Sequence, residues 1–273
     1  MSDKYSVIVD GVRSPIVLKN SPLLGIRSDD LSAIVIKGML KRQKKLDKSL
    51  VEDLIVGCAF PEGPQGMLMA KGISILSDFP IETCGKVINR FCGSSMDAAH
   101  QISQAIHAGD IECGIATGVE DMFSVPMGGF NPSFNPELYE QDYYIGMGET
   151  AENLAKLLDI SRHDQEEFAI SSHEKALKAI CAGNFKNEII PIEFNGVTVS
   201  NDEGPREPDI DKIKTLEPAF DSEGTITAAT SSPISLGSAS LLITSNSLAE
   251  SSGLTPRYKI ISRTIAGVDW KTM

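Results

Sequence analysis

The chain has 273 residues, 41% of them apolar and 23% charged, ordinary proportions for a globular protein and enough length for a large core. A formal net charge of −12 without a long basic run argues against nucleic acid or an anionic membrane as the main partner, while a few local cations would suffice for a small anionic ligand. The opening MSDKYSVIVDGVRSP has too short an apolar run for a secretory signal, and no stretch approaches the ~20 apolar residues of a membrane span, so a cytoplasmic protein is expected.

In chain order, SVIVDGV (6–12) predicts a short β-branched strand. DDLSAIVIKGMLKRQ (29–43) predicts a helix with Leu31, Ile34, Val35 and Met39 on one face and Asp29 or Asp30 as its cap. EDLIVGCAF (52–60) has the continuous apolar run of a buried parallel strand, and GKVINRF (85–91) is a third strand. A helix over 93–108 follows, with Met96, Ala99, Ile102 and Ile106 on one stripe and Gly109 as its stop. ECGIATGVE (112–120) is the next strand. Strands alternating with helices predict an α/β protein, a mostly parallel sheet with helices on both faces.

The texture changes after Asp121. MFSVPMGGFNPSFNPELYEQDYY (122–144), rich in Gly, Pro, Asn and aromatics, reads as a long functional loop. Helices are expected over 149–160, carrying Leu154, Leu157 and Leu158, and over 161–184, with Ser161 as cap and Gly183 as stop. After an irregular stretch (195–218), TITAATSSPISLGSASLLITS (225–245) is apolar and small. A short helix (246–252), Gly253 and a last strand (257–267) complete the pattern. The expected organisation is a sheet domain (1–121), an α-rich excursion (122–233) and a return to the sheet domain (234–273).

The cysteines are Cys58, Cys84, Cys92, Cys113 and Cys181. An odd number without a C-x-x-C pair suggests reduced thiols, with neither a disulfide framework nor a metal site. Cys92 is singled out by its place, because a strand runs into it and a helix begins at once. The free N–H groups and dipole of a helix N-terminus favour an anion there, and Gly93, Ser94 and Ser95 leave the sulfur open to approach. The same N–H groups suit an oxyanion on a bound acyl group. From the residues alone Cys92 is either a nucleophile or a small thiol packed at a strand–helix junction. The histidines are His100, His107, His163 and His173; the first two share a helical face, as exposed residues or as a candidate base.

INRFCGSSMDAAH (88–100) resembles the nucleophile segment of the thiolase family, in particular of bacterial 3-ketoacyl-CoA thiolases. VDGVRSP, ATGVEDMFSVPM, MGETAENLAKLLDISRHDQEEFAISSHEKA, FKNEIIPI and GTITAATSSPISLGSASLLITS resemble, in order, further family segments, so nearly the whole chain is covered. The resemblance implies a thiolase-like half with a five-stranded, mostly parallel sheet interrupted by a loop domain. It implies that Cys92 takes the acyl group of a 3-ketoacyl-CoA, releasing acetyl-CoA, and that free coenzyme A, a substrate rather than a cofactor, removes it. Met147 matches a residue beside the acyl and pantetheine channel, Arg206 one near the adenine and Leu216 an apolar neighbour of that ring. Ala228 and Ser232 match pantetheine contacts. Coenzyme A and acyl-CoA thioesters, a second copy bound through the sheet domain, and a multifunctional β-oxidation subunit are the implied partners.

The sequence departs from the family at Leu236, where an aspartate is common before the glycine, and at Glu149, a usually uncharged place that either faces the acyl channel or caps a helix. The match covers the family's first half. The second half supplies an asparagine segment, the activating histidine and a second cysteine, so this reading expects the base to lie outside these residues and the 273 residues alone to be inactive. The alternatives are a CoA- or partner-binding module without catalysis, a biosynthetic acetoacetyl-CoA thiolase, and a ketosynthase-like condensing enzyme.

Overall fold

The computed structural model describes residues 4–273; the first three residues of the opening segment lie outside them. In chain order the elements are β1 (Ser6–Arg13), α1 (Ser28–Arg42), β2 (Asp53–Gly57), α2 (Met69–Leu76), β3 (Cys84–Ile88), α3 (Ser94–Ala108), β4 (Cys113–Asp121), α4 (Pro136–Glu140), α5 (Met147–Leu158), α6 (Arg162–Cys181), β5 (Ile192–Phe194), β6 (Val197–Val199), α7 (Ile210–Lys214), β7 (Leu236–Ser245), α8 (Asn246–Ser251) and β8 (Tyr258–Lys259). They form two compact units. One comprises the residues up to Phe130, Lys186–Glu203 and Ile234–Arg263; the other comprises Asn131–Phe185, Gly204–Pro233 and Thr264–Met273.

The first unit is built on a six-stranded sheet in the order β3-β2-β4-β7-β1-β8. β2 pairs parallel with β3 and β4, whereas β7 runs antiparallel to β4 and β1, and β8 antiparallel to β1. The α/β class stands, with six strands rather than five and with β1 to β4 all running one way. Side chains alternate between the two faces, as the pleat requires. Leu54 and Val56 of β2 join Leu31, Val35 and Met39 of α1 and Ile73 of α2 on one face. Ile55 between them joins Ala98, Ile102 and Ile106 of α3, with Ala116 and Ile243, on the other. Each buried Leu, Ile, Val or Met among these stabilises the fold by about 1.5–3 kcal/mol. The hairpin β5–β6 also belongs to this unit.

Several expectations are corrected. Arg27 precedes α1 without a side-chain cap; Asp29 and Asp30 sit instead inside the first turn, where they meet the positive end of the dipole. Met96 is 59% exposed, because the buried stripe of α3 runs through Ala98, Ile102 and Ile106. Leu157 and Leu158 of α5 are exposed, and its buried residues are Thr150, Glu152 and Ala155. The strand expected over 257–267 is two residues long, its pairing with β1 ending at Lys259. α2, α7 and the β5–β6 hairpin are not among the expected elements, nor is α4, which lies inside the stretch read as a long loop and is capped by Asn135. By contrast, Gly109 ends α3 with a left-handed φ of 88°, and the Ser161 side chain caps α6.

Three boundaries differ from those expected, the first because the sheet unit runs on to Phe130 rather than ending at Asp121. Residues 186–203 belong to the sheet unit, since Arg13 of β1 pairs with Glu188 (2.8 Å) and Asp202 (2.7 Å). Residues 264–273 belong to the second unit, where Trp270 Nε1 donates to Gln141 O (3.1 Å) and Lys271 Nζ pairs with Asp142 (2.8 Å). Among the described residues no helix is long and apolar enough to cross a membrane.

Candidate active site

β3 delivers the chain to Cys92 through Asn89, Arg90 and Phe91, and α3 starts two residues later with Gly93 as its N-cap. The junction is tightly closed. Gly93 N donates to Arg90 O (3.0 Å) and Ser94 N to Phe91 O (3.0 Å). Ser94 Oγ accepts from Arg90 N (2.8 Å) and donates to Phe91 O (2.6 Å). Phe91 has φ +43°, a left-handed conformation that a bulky side chain rarely adopts. Cys92, next along, is exposed.

The sheet sets where this corner lies. A Cβ on Gly57 at the end of β2 would sit 2.4 Å from the backbone of Ser94 and Ser95, and one on Gly118 of β4 2.5 Å from Ser95 Cβ. The first turn of α3 therefore rests directly on two glycines that face each other across β2 and β4. No larger residue at either place leaves the helix start where it is.

The other thiols differ in setting. Burial, and then the charge of Glu120, pushes the Cys58 thiol up to about 12. Burial, and then Glu52, does the same to Cys113. Both stay protonated at neutral pH, so neither is a nucleophile there. Cys84 and Cys181 are exposed, but Cys84 lies within β3 and Cys181 ends α6. Among the described residues no histidine is hydrogen-bonded to Cys92. His107 Nδ1 meets Ser103 O (2.8 Å), His163 pairs with Glu167 (3.3 Å), and His173 Nδ1 accepts from Arg206 N (3.3 Å).

The five remaining sequence candidates lie in the second unit. Met147 is the first residue of α5 and about half exposed. Glu149 Oε2 accepts from Gly146 N (2.9 Å), so Glu149 caps this helix, the second of the two roles considered for it. It also lines an open cleft of about 750 Å³ with Tyr144, Lys156, Phe220, Asp221 and Lys271. Arg206 is exposed. Leu216 is half-buried, and its carbonyl accepts from the Arg162 guanidinium (2.6 Å). Ala228 and Ser232 are exposed in the turn before β7. Leu236, where the family commonly has an acid, is 1% exposed in the core of the first unit, so its apolar side chain serves packing.

Sequence reasoning missed Glu152. This buried carboxylate accepts from Thr225 N (2.9 Å) and Ile226 N (2.7 Å), and so shapes the turn that carries Ala228 and Ser232. It missed Asn89 as well, and it read Ser94 only as leaving the sulfur open rather than as bonding Arg90 N and Phe91 O. The signal for those was an Asn and a Ser bracketing the cysteine, since both residue types readily bond nearby backbone.

Comparisons with known proteins bear on the family and the fold. The thiolase N-terminal domain matches residues 6–247. A 3-ketoacyl-CoA thiolase of Bacillus subtilis (strain 168) is 37% identical over 99% of this chain and 73% of its own length. One from Marinobacter nauticus is 41% identical over 96% of this chain and 70% of its own. A beta-ketoadipyl-CoA thiolase of Escherichia coli is 37% identical over 99% of this chain and 73% of its own. The crystal structure of the Bacillus anthracis acetyl-CoA acetyltransferase superposes with a TM-score of 0.87 at 33% identity, covering 98% of this chain and 72% of that one. Matched along nearly its whole length in sequence and in fold, the chain belongs to the thiolase family.

Proposed function

We propose that this chain carries the nucleophile and coenzyme A contacts of a thiolase that cleaves 3-ketoacyl-CoA in fatty-acid β-oxidation. The observation that carries the reading is the exposed Cys92, held at a strand–helix corner in a chain of this family. The Cys92 thiolate attacks the 3-keto carbon of the substrate. The bond between C2 and C3 then breaks, and the electron pair leaves on C2, which takes up a proton to give acetyl-CoA. The shortened acyl group stays on Cys92 as a thioester. The thiol of free coenzyme A attacks that carbonyl, giving a shortened acyl-CoA and the free cysteine. Met147, Arg206, Leu216, Ala228 and Ser232 hold the nucleotide thioester in this reading, the exposed Arg206 supplying a local cation for its phosphates. The 3-ketoacyl-CoA thiolases among the relatives support the degradative direction. The acetyl-CoA acetyltransferase with the same fold supports the reverse condensation as the second reading.

Two finer points belong to the proposal. The 273 residues alone turn over poorly, because no histidine among those described meets Cys92. The free thiols fit a reduced, cytoplasmic setting, and the edge strand β3, none of whose residues is fully buried, suits pairing with a second copy of the chain or docking on a multifunctional subunit. The test is acetoacetyl-CoA with free coenzyme A, following loss of the enolate absorbance, with mass mapping of Cys92. The expected result is an acetyl group on Cys92 without sustained turnover, and coenzyme A binding weakened by Arg206→Ala. Robust turnover abolished by Cys92→Ala would place a base within these residues; acetylation elsewhere would end the nucleophile assignment. Light scattering over a concentration range should show self-association, which a clean monomer would contradict.

A further inference from the structure

Phe91 precedes the nucleophile in a left-handed conformation, φ +43°. Something has to hold it there. Asn89 Oδ1 accepts from Phe91 N (2.8 Å), closing a turn over Arg90. The same side chain reaches the other way, Nδ2 donating to Ala59 O (2.8 Å) in the loop after β2. That loop is itself anchored. Glu120, near the end of β4, accepts from Ala59 N (2.7 Å) and Phe60 N (3.3 Å). Gln65 Nε2 donates to Glu120 Oε1 (3.0 Å) and to Phe60 O (2.9 Å), and Gln65, fully buried, accepts from Asp121 N (2.5 Å) through Oε1. The rings of Phe60 and Phe91 touch, with centroids 5.9 Å apart. A continuous path of bonds thus runs from β4, through the loop after β2, to the residue before Cys92.

We propose that Asn89 is a positioning residue for the nucleophile: it locks Phe91 left-handed and ties it to the loop anchored by Glu120 and Gln65, so that the Cys92 sulfur is presented at the start of α3. The proposal rests on the reading of Cys92 as the nucleophile. Asn89 touches no reacting atom and acts through the backbone of Phe91. The physical reason for such a device is that a strained backbone persists only where its surroundings over-determine it. Here the determinants are Asn89 on one side and Ser94 on the other.

The test is the rate of iodoacetamide alkylation of Cys92 relative to Cys84, exposed in the same sample, read by peptide mapping on the full chain. In the unsubstituted protein Cys92 should react faster than Cys84. If it does not, the nucleophile reading fails, and this proposal with it. Asn89→Ala should lower the ratio by about 10-fold, the size expected for a modest misplacement of a reacting group. Asn89→Asp, which keeps the acceptor for Phe91 N but loses the donor to Ala59 O, should lower it less than Asn89→Ala does. Phe91→Gly added to Asn89→Ala should restore the ratio, because glycine takes a positive φ without help. A merely structural role would lower the melting temperature without this rescue. A ratio unchanged by Asn89→Ala, or lowered but not recovered with Gly at 91, overturns the proposal while leaving the nucleophile reading intact.

Discussion

Gly57→Ala should displace the start of α3. The added Cβ would lie 2.4 Å from the Ser94 and Ser95 backbone, where ordinary contact begins at 3.4 Å. The obstacle is main chain, which cannot swing aside as a side chain does, so the start of α3 must retreat by about 1 Å. Overpacking of this kind typically costs about 1–3 kcal/mol. For a protein of this size each kcal/mol lowers Tm by about 2–4 °C. A shift of that size at a reacting group costs up to about 10²-fold in rate. Two measurements check this: thermal unfolding by circular dichroism, and the alkylation ratio of Cys92 to Cys84. Gly72→Ala in α2 is the control. Nothing beyond its own stretch of helix lies within 4 Å of its added Cβ, and the change should stabilise the helix by about 0.5–1 kcal/mol. Gly57→Ala with an unaltered Tm and an unaltered ratio would refute the claim that these glycines set the position of Cys92.

The buried thiols make the fold sensitive to alkali. Their pKa rises from 9.0 to about 12 in the folded chain, so the native state holds its protons more tightly, and this contribution is intact below pH 9 and lost as pH climbs toward 12. Urea unfolding across that window should show stability falling, with Cys113→Ala flattening the fall; an identical slope would count against it. Burial raises the Asp202 carboxyl, but the Arg13 guanidinium and the Ile16 N–H outweigh it and hold the group below its ordinary value. Asp202→Asn should therefore cost about 1.5–3 kcal/mol at neutral pH. The deficit should shrink as acid protonates Asp202 in the parent protein, and a deficit independent of pH would rule out the ion pair as its source.

Local signals carried much of the fold. The apolar runs of β2 and β4, the stop at Gly109 and the cap at Ser161 all lie in a few consecutive residues, and each was legible. α2 was not, because Gly72 interrupts it and a Gly- and Pro-rich stretch precedes it. The last strand was over-read for a related reason. Its alternating apolar residues do form a strand-like pattern, yet Ile261 is 91% exposed and only Tyr258 and Lys259 pair with β1. Cys92 stood out because strand, cysteine and helix are contiguous. Its supports did not, since Asn89 and Ala59 are 30 residues apart, Gln65 and Glu120 55, and Ala59 and Glu120 61. Pairings across such distances follow from the order of strands in the sheet, which no local pattern encodes.

The carboxylate of Glu152 has a consequence for how the second unit meets a ligand. It gathers Thr225 N and Ile226 N, while Thr227 and Thr230 bond to each other, so the turn bearing Ala228 and Ser232 is held in one shape by its own bonds. Freezing a loose backbone takes roughly 1–2 kcal/mol per residue in conformational entropy. Here folding has met that cost before any thioester arrives. In the proposed reading, a pantetheine arm laid along this turn would give up its own freedom on association but would find a surface with little left to lose.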